Sequence, residues 1–574
     1  MTTRLGMLLT TVLLGSALTM AACSKTTEPG ATHIFVNAKV YTMNTAAPEA
    51  EALVVQDDLI SFVGSSAEAK KFAGTATQVH DMQGGFLLPG FIDTHVHPVA
   101  GGAYAKALSL DTFGTVEQWV DAIEEYAAQN PDKPVLFGYG FLATTFGTTG
   151  PLKDMIDKVV LDRPVLIMDE GFHGAWANSA ALKALNITAD TQDPTPGFSY
   201  YKRDANGEAT GYLLEETAGM AMDALDVITE EVIIDGTAFV IDTMNAYGVT
   251  AAFDAGAMAT GDTVLSVLQQ LEKRGDMSVR IIGASRPEGA AEADTAVATA
   301  MQWRDKIKGE RYHYRSLKIM HDGTVEGRTA AMFEDYQGEP GNSGETVFSE
   351  EQMTAMVTGA AAQHIDLHIH ALGERAIHEA LNAIEIARKQ HADSKTRYTI
   401  CHIQVLTDAD LVRFAALDVI AQSTPLWASY DTHGEQFVST DQFNRYWRFN
   451  SLAKSGARLT FGSDFPASGA GLLGLSPVLQ IEIGHTRQDP GEPDAPVQPM
   501  ADEVLDIHAL LRGFTIDAAY QLHMEDQIGS LEVGKKADLT VLDKNLFEVD
   551  AYDIHKTEVV LTMMDGDIVY SASD

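Results

Sequence analysis

The chain has 574 residues, with 80 Asp and Glu against 40 Lys and Arg, a formal net charge of −40 at neutral pH. A surface of that sign repels nucleic acid and anionic bilayers, which removes both as partners, and it keeps the chain dissolved by self-repulsion. The length exceeds the roughly 250 to 300 residues at which a single core stops growing, so several structural units are required.

Residues 1–22 place Arg4 ahead of an apolar run from Met7 to Leu18 and end in Met20-Ala-Ala before Cys23. This pattern predicts a bacterial lipoprotein signal, and the apolar run is too short to stay as a membrane-spanning helix. Cleavage before Cys23 leaves a lipidated cysteine that tethers the chain by acyl chains alone. Ser24, in place of an acidic residue, points to the outer membrane; Met20 fits less well than leucine, which leaves plain periplasmic secretion as the alternative. Residues 23–31 read as a linker. The other cysteine, Cys401, has no partner for an intrachain disulfide and by strand alternation should face away from His402 as a buried, inert thiol.

Next come strand-like runs at 34–41, 51–55 and 59–63, matched near the other end by 539–542, 559–563 and 567–570 with an Asp565-Gly566 turn. These predict a small β-sandwich built from both chain ends, residues 32–88 plus 524–574. The apolar run 86–98 reads as one buried strand, and seven more follow at 248–256, 278–285, 316–324, 366–373, 397–403, 418–424 and 458–466. Helix-period segments such as 374–390 and 408–416 lie between them. Strands alternating with helices argue parallel βα units, so the predicted fold is α/β, a (β/α)8 TIM-like barrel over residues 89–523. The stretch after the first strand, about 100–245, is far longer than one βα unit needs. It should fold as an inserted lobe whose aromatic and glycine-rich runs, Phe137-Gly-Tyr-Gly-Phe141 and Pro196-Gly-Phe-Ser-Tyr-Tyr201, roof the active end. Trp427, Tyr446 and Trp447 offer either an aromatic wall there or ordinary packing.

Eight residues recur at the ends of these strands: His95, His97, Lys318, Asp322, His368, His370, His402 and Asp464. Polar groups at the C-terminal ends of barrel strands read as functional, and nitrogen and oxygen ligands spread over several strands are how a hydrolytic divalent-metal site is built. His95 and His97 point the same way along one strand, close enough to chelate an ion. His321 should point toward the helices. His368 shares the parity of His370 but sits deeper, as a packed or supporting group. Asp322 suits a carboxylate that orients a ligating histidine; Asp93 suits the same role or a purely structural one.

Pro89-Gly-Phe-Ile-Asp-Thr-His-Val-His97, His370-Ala-Leu-Gly-Glu-Arg-Ala376, Gly462-Ser-Asp464 and Gly529-Ser-Leu-Glu-Val-Gly-Lys-Lys-Ala-Asp-Leu539 resemble the amidohydrolase superfamily. Within it the chain is similar to amidohydrolase family 3, the group that includes N-substituted formamide deformylase, through Asp169-Glu-Gly-Phe-His-Gly-Ala-Trp176, Gly207-Glu-Ala-Thr-Gly211 and Lys318-Ile-Met-His-Asp-Gly323. The likeness runs from about Ile34 to the C-terminus. It implies one ion on His95, His97 and Asp464, a second on His370 and His402, and a carbamate on Lys318 bridging them. It also implies zinc, with iron or manganese as alternatives. Asp464 would take a proton from metal-activated water and pass it to the leaving group, and His173 would meet the developing oxyanion or the substrate. The expected reaction is hydrolysis of a non-peptide carbon–nitrogen bond, amide or N-formyl, in a small molecule. A mononuclear deaminase, a lactone hydrolase, or a catalytically silent binding lipoprotein are the alternatives, and a homo-oligomer stays open.

Overall fold

The computed structural model describes residues 31–572, apart from 112–113, 148, 170–172, 197–198, 258, 432–433 and 469. The signal-like segment, Cys23 and all but the last residue of the predicted linker lie outside the described residues.

Eight parallel strands form one sheet in sequential order: β1 (Phe91–Val96), β2 (Val249–Asp254), β3 (Arg280–Ser285), β4 (Tyr312–Met320), β5 (Asp366–Ala371), β6 (Tyr398–His402), β7 (Val419–Ser423) and β8 (Arg458–Phe461). Every residue of β1, β2, β5, β6 and β7 is buried, as expected of strands covered on one side by helices and on the other by the barrel interior. The cylinder closes where β8 meets β1. The Asp464 N–H donates to the His95 carbonyl at 2.7 Å, and the His97 N–H to the Phe465 carbonyl at 2.9 Å. The Asp93 carboxylate stitches the same seam by accepting from the backbone N–H groups of His95 and Ser463, both at 3.0 Å. The fold is the (β/α)8-type barrel that the strand alternation predicts.

The run 86–98 is two strands rather than one. Phe86–Pro89 leaves the barrel and pairs with Leu539–Leu542 on one side and with Lys39–Val40 on the other. Gly90 makes the transition: a Cβ there would collide with the Thr250 side chain. Periodicity could not show this break, because both halves are apolar and buried. The sheet that Phe86–Pro89 joins has six strands, drawn from both chain ends, and a second sheet has four strands from the N-terminal part. Phe35, Leu53, Val55 and Ile60 of the second sheet share one apolar cluster with Leu87, Leu539, Val541 and Met563 of the first.

Between β1 and β2 lies a further six-stranded sheet, within residues 108–214, with its own apolar clusters around Trp119, Trp176 and Phe141 on one face and Leu166, Met168 and Leu213 on the other. It is the inserted lobe. Among the described residues no helix is long and apolar enough to cross a membrane.

Candidate metal centre

All eight residues singled out in the sequence are buried. His95, His97 and Asp464 bring one ligand atom each within 4.8 Å of one another. The Nε2 atoms of both histidines lie 3.3 Å from Asp464 Oδ1. From the far side the His402 ring approaches His95 at 4.7 Å and His370 at 4.5 Å between centroids. Neighbouring register places Lys318 beside His368, and its Nζ reaches 3.5 Å from His95 Nε2. Five strands thus deliver side chains to one end of the barrel, the C-terminal end.

Hydrogen bonds fix which ring nitrogens face inward. His97 Nδ1 meets the Gly256 carbonyl at 3.2 Å, and His370 Nε2 meets the Gly323 carbonyl at 3.3 Å. A carbonyl only accepts, so each of these nitrogens carries the proton and the opposite nitrogen of each ring presents a lone pair. His95 Nδ1 lies 3.1 Å from Gln422 Oε1, and the Gln422 amide is oriented by donating its Nε2 proton to the Ser423 carbonyl at 3.0 Å. His95 Nε2, His97 Nε2 and Asp464 Oδ1 therefore converge as three acceptors with no proton between them.

Burial and charge favour the neutral form of four of these imidazoles, His95, His368, His370 and His402. Burial, with Lys318 as the next contributor, pushes His95 and His368 far below the ordinary histidine range and His370 down to about 3. Burial and then His370 act in the same direction on His402. A neutral imidazole is the form that binds a metal.

This donor set fits a divalent cation. Acceptors that repel one another need a positive centre, and ligand atoms on a tetrahedron of about 2.0 to 2.1 Å radius stand roughly 3.3 to 3.4 Å apart, the spacing of the His95 and His97 nitrogens from Asp464. His402 Nδ1 is buried without a hydrogen-bond partner and lies 3.9 Å from Asp464 Oδ2, as an atom reserved for a cation does.

A family model described as Amidohydrolase family (Amidohydro_3) matches residues 78–570, most of the chain. The chain belongs to the amidohydrolase family. It is 26% identical over 546 residues to the putative amidohydrolase YtcJ of Bacillus subtilis, covering 93% of this chain and 98% of that protein. It is 25% identical over 560 residues to N-substituted formamide deformylase of Arthrobacter pascens, covering 94% of this chain and 98% of the relative. Among solved structures, a metal-dependent hydrolase from Pyrococcus furiosus superimposes with a TM-score of 0.70 at 23% identity, over 89% of this chain and 99% of that one. This amidohydrolase is therefore a hydrolase.

Other residues of the amidohydrolase sit as follows. The Asp322 carboxylate accepts from the N–H groups of Ala331, Leu372 and Gly373 at 2.9 to 3.0 Å and stands 3.6 Å from His370 Nε2, so it braces the loops around that histidine; burial raises it to about 7. Asp93 holds the backbone of His95 rather than its ring. His368 Nε2 lies 3.0 Å from His95 Nδ1, beneath the pair of inward-facing histidines. His321 turns to Glu379 on the helix Glu374–Gln390, at 3.0 Å. Trp427 packs 5.6 Å from the His402 ring, with Trp447 tilted against it and Tyr446 edge-on to Trp447 behind. His173, on the inserted lobe, is exposed, with its Nδ1 3.0 Å from Glu215 Oε2.

Cys401 corrects an expectation. It does not turn away from the site: its Sγ lies 3.4 Å from Lys318 Nζ, inside the barrel. His402 adopts a left-handed backbone conformation, φ 76°, which breaks the strand alternation so that both neighbours point inward. Sequence reading also passed over Gln422 and Asp254. Asp254 stands 3.9 Å from His97 Nδ1 and accepts a hydrogen bond from the Tyr314 hydroxyl. Both carried a signal, a polar side chain inside or ending an otherwise apolar strand.

Proposed function

We propose that this amidohydrolase cleaves a non-peptide carbon–nitrogen bond, an amide or an N-formyl amine, in a small molecule. The observation that carries the reading is the convergence of His95 Nε2, His97 Nε2 and Asp464 Oδ1 at 3.3 Å spacing, with their protons turned outward. In this reading His95, His97 and Asp464 would hold one cation, His370 and His402 would hold a second, and Lys318, as a carbamate, would serve both. When bound, one or two divalent ions, zinc by preference for this ligand set, lower the pKa of water and polarise the scissile carbonyl.

The protein groups do the rest. Asp464, at the rim, accepts the proton of the attacking water and returns it to the departing nitrogen. Gln422 and the Gly256 carbonyl hold the histidine tautomers. Trp427 walls the mouth beside His402, and His173 offers the inserted lobe's contact to the substrate, with Glu215 fixing its Nδ1. The similarity to N-substituted formamide deformylase supports an N-formyl amine among the amides.

The test is hydrolysis of a panel of formamides, acyl amino acids and cyclic amides by metal-reconstituted protein, with elemental analysis of bound metal. Asp464→Asn should keep its fold and lose turnover by about 10² to 10⁴-fold, the range for a positioned acid–base group; near-normal rates would exclude Asp464 as the proton carrier. The lipobox-like residues 20–23 support anchoring at the cell envelope through Cys23, and metabolic labelling with a fatty acid tests it.

A further inference from the structure

Arg487 is fully buried, directly after the helix Pro477–Thr486 that follows β8. Its guanidinium donates to three backbone carbonyls: Nη1 to Trp447 at 2.8 Å, and Nη2 to Tyr446 and to Pro499, both at 3.2 Å. Among the described residues it joins no ion pair, and its Nε has no hydrogen-bond partner. Burial, against the pull of Glu503 and Asp502, brings its pKa down to about 10, so it stays a cation at neutral pH. Burying a cation on carbonyls alone is costly, and an apolar side chain of similar volume would stabilise a fold as well or better. What the residue gains therefore lies in the backbone that it holds.

That backbone is the turn carrying Trp447. Trp447 has a left-handed conformation, φ 53°, which a bulky side chain keeps only where its surroundings force it. On one side its N–H donates to the Gln404 carbonyl at 3.2 Å, two residues past His402, and Tyr446 pairs with Val405. On the other side stands Arg487. The Trp447 indole N–H is buried without a hydrogen-bond partner, so no bond of its own orients the ring and the backbone must. Thus placed, the ring backs Trp427 at 6.0 Å between centroids, tilted by 40°. Trp427 is partly exposed, lies 5.6 Å from the His402 ring, and donates its own indole proton to the Ser468 carbonyl at 3.2 Å.

We propose that Arg487 is a positioning residue for substrate selection: it locks the Tyr446–Trp447 turn, Trp447 then holds Trp427 at the mouth, and the fixed indole face selects amides that carry an aromatic group. The planar fork of an arginine suits this task, since it spans several carbonyls that a single ammonium cannot reach together. An indole face held in place stacks on a flat apolar ring without first having to be ordered. The inference rests on the hydrolase reading only in calling the selected molecule an amide substrate.

The first test is optical and needs no turnover. Two indoles this close couple as an exciton pair and split the far-ultraviolet circular dichroism band; among the described residues Trp427 and Trp447 are the one pair of tryptophans in ring contact, so Trp427→Phe assigns the signal. Arg487→Met should melt cooperatively and lose at least half of the couplet. If Arg487→Met does not fold, Arg487→Lys decides, because one ammonium cannot serve three carbonyls and the same loss is expected. A wild type without the couplet, or a folded variant that keeps it whole, overturns the proposal. The second test is selectivity among the amides that the protein hydrolyses. Arg487→Met should raise KM for those bearing an aromatic ring about fivefold, within the roughly two- to twelvefold that one aromatic contact is worth, with kcat and the KM of alkyl amides within twofold of wild type. A KM for aromatic amides that does not move, or a uniform fall in kcat over aromatic and alkyl amides alike, overturns it as well. Failure of the hydrolase reading would appear separately, as no hydrolysis of any amide, and the couplet would still decide the role of Arg487.

Discussion

Gln422→Leu probes how the site holds its first histidine. The substitution keeps volume, so no cavity forms, but it removes the Oε1 that accepts from His95 Nδ1 at 3.1 Å. Losing an outer partner of a ligating histidine costs about 10- to 100-fold in metal affinity, roughly 1.4 to 2.7 kcal/mol. The structure places this variant at the lower end, because His368 Nε2, 3.0 Å from the same His95 nitrogen, remains as an alternative acceptor. Gln422→Leu should therefore weaken zinc about tenfold, and Gln422→Leu with His368→Phe should approach a hundredfold. Competition with a chromophoric chelator reads both constants, with thermal melting as the check on folding. A folded double variant that binds zinc within twofold of wild type would refute the argument that these two groups set the His95 tautomer.

Two further outcomes follow from the same geometry. Lys318→Ala should lower the metal content and activity together, with partial rescue by an added short-chain carboxylic acid; retention of both metals and full activity, read by elemental analysis and an amide hydrolysis assay, would contradict a bridging lysine. Arg280, buried at the base of β3, is paired with Asp538, just ahead of the strand Leu539–Leu542, and with Asp565 in the turn between the last two strands. Arg280→Met leaves Asp538 buried without its counter-charge and should cost about 3 to 5 kcal/mol in urea unfolding; a loss below 1 kcal/mol would show that solvent reaches Asp538.

Much of this was legible in the sequence, for reasons that differ between residues. The barrel strands are short apolar runs with helical segments between them, a pattern that survives any amount of loop variation. The histidines and Asp464 stand at strand ends, where alternation and chain order predict their convergence. Two things were not legible. The Phe86–Pro89 and Phe91–Val96 strands belong to different sheets, and only the packing of Gly90 against Thr250 separates them. Cys401 and His402 face the same way because of a backbone angle, which periodicity cannot encode.

The seam between β1 and β8 gives the protein an order of assembly. His95 leaves the ribosome some 370 residues ahead of Asp464, and the two are joined only by the last closure of the cylinder. A partly made chain offers isolated imidazoles but never the full cage, so firm capture of a metal waits until nearly the whole polypeptide exists. In the proposed reading, metal loading would thereby report completed folding, and a metal-sensitive probe of refolding should lag behind the appearance of helix and strand.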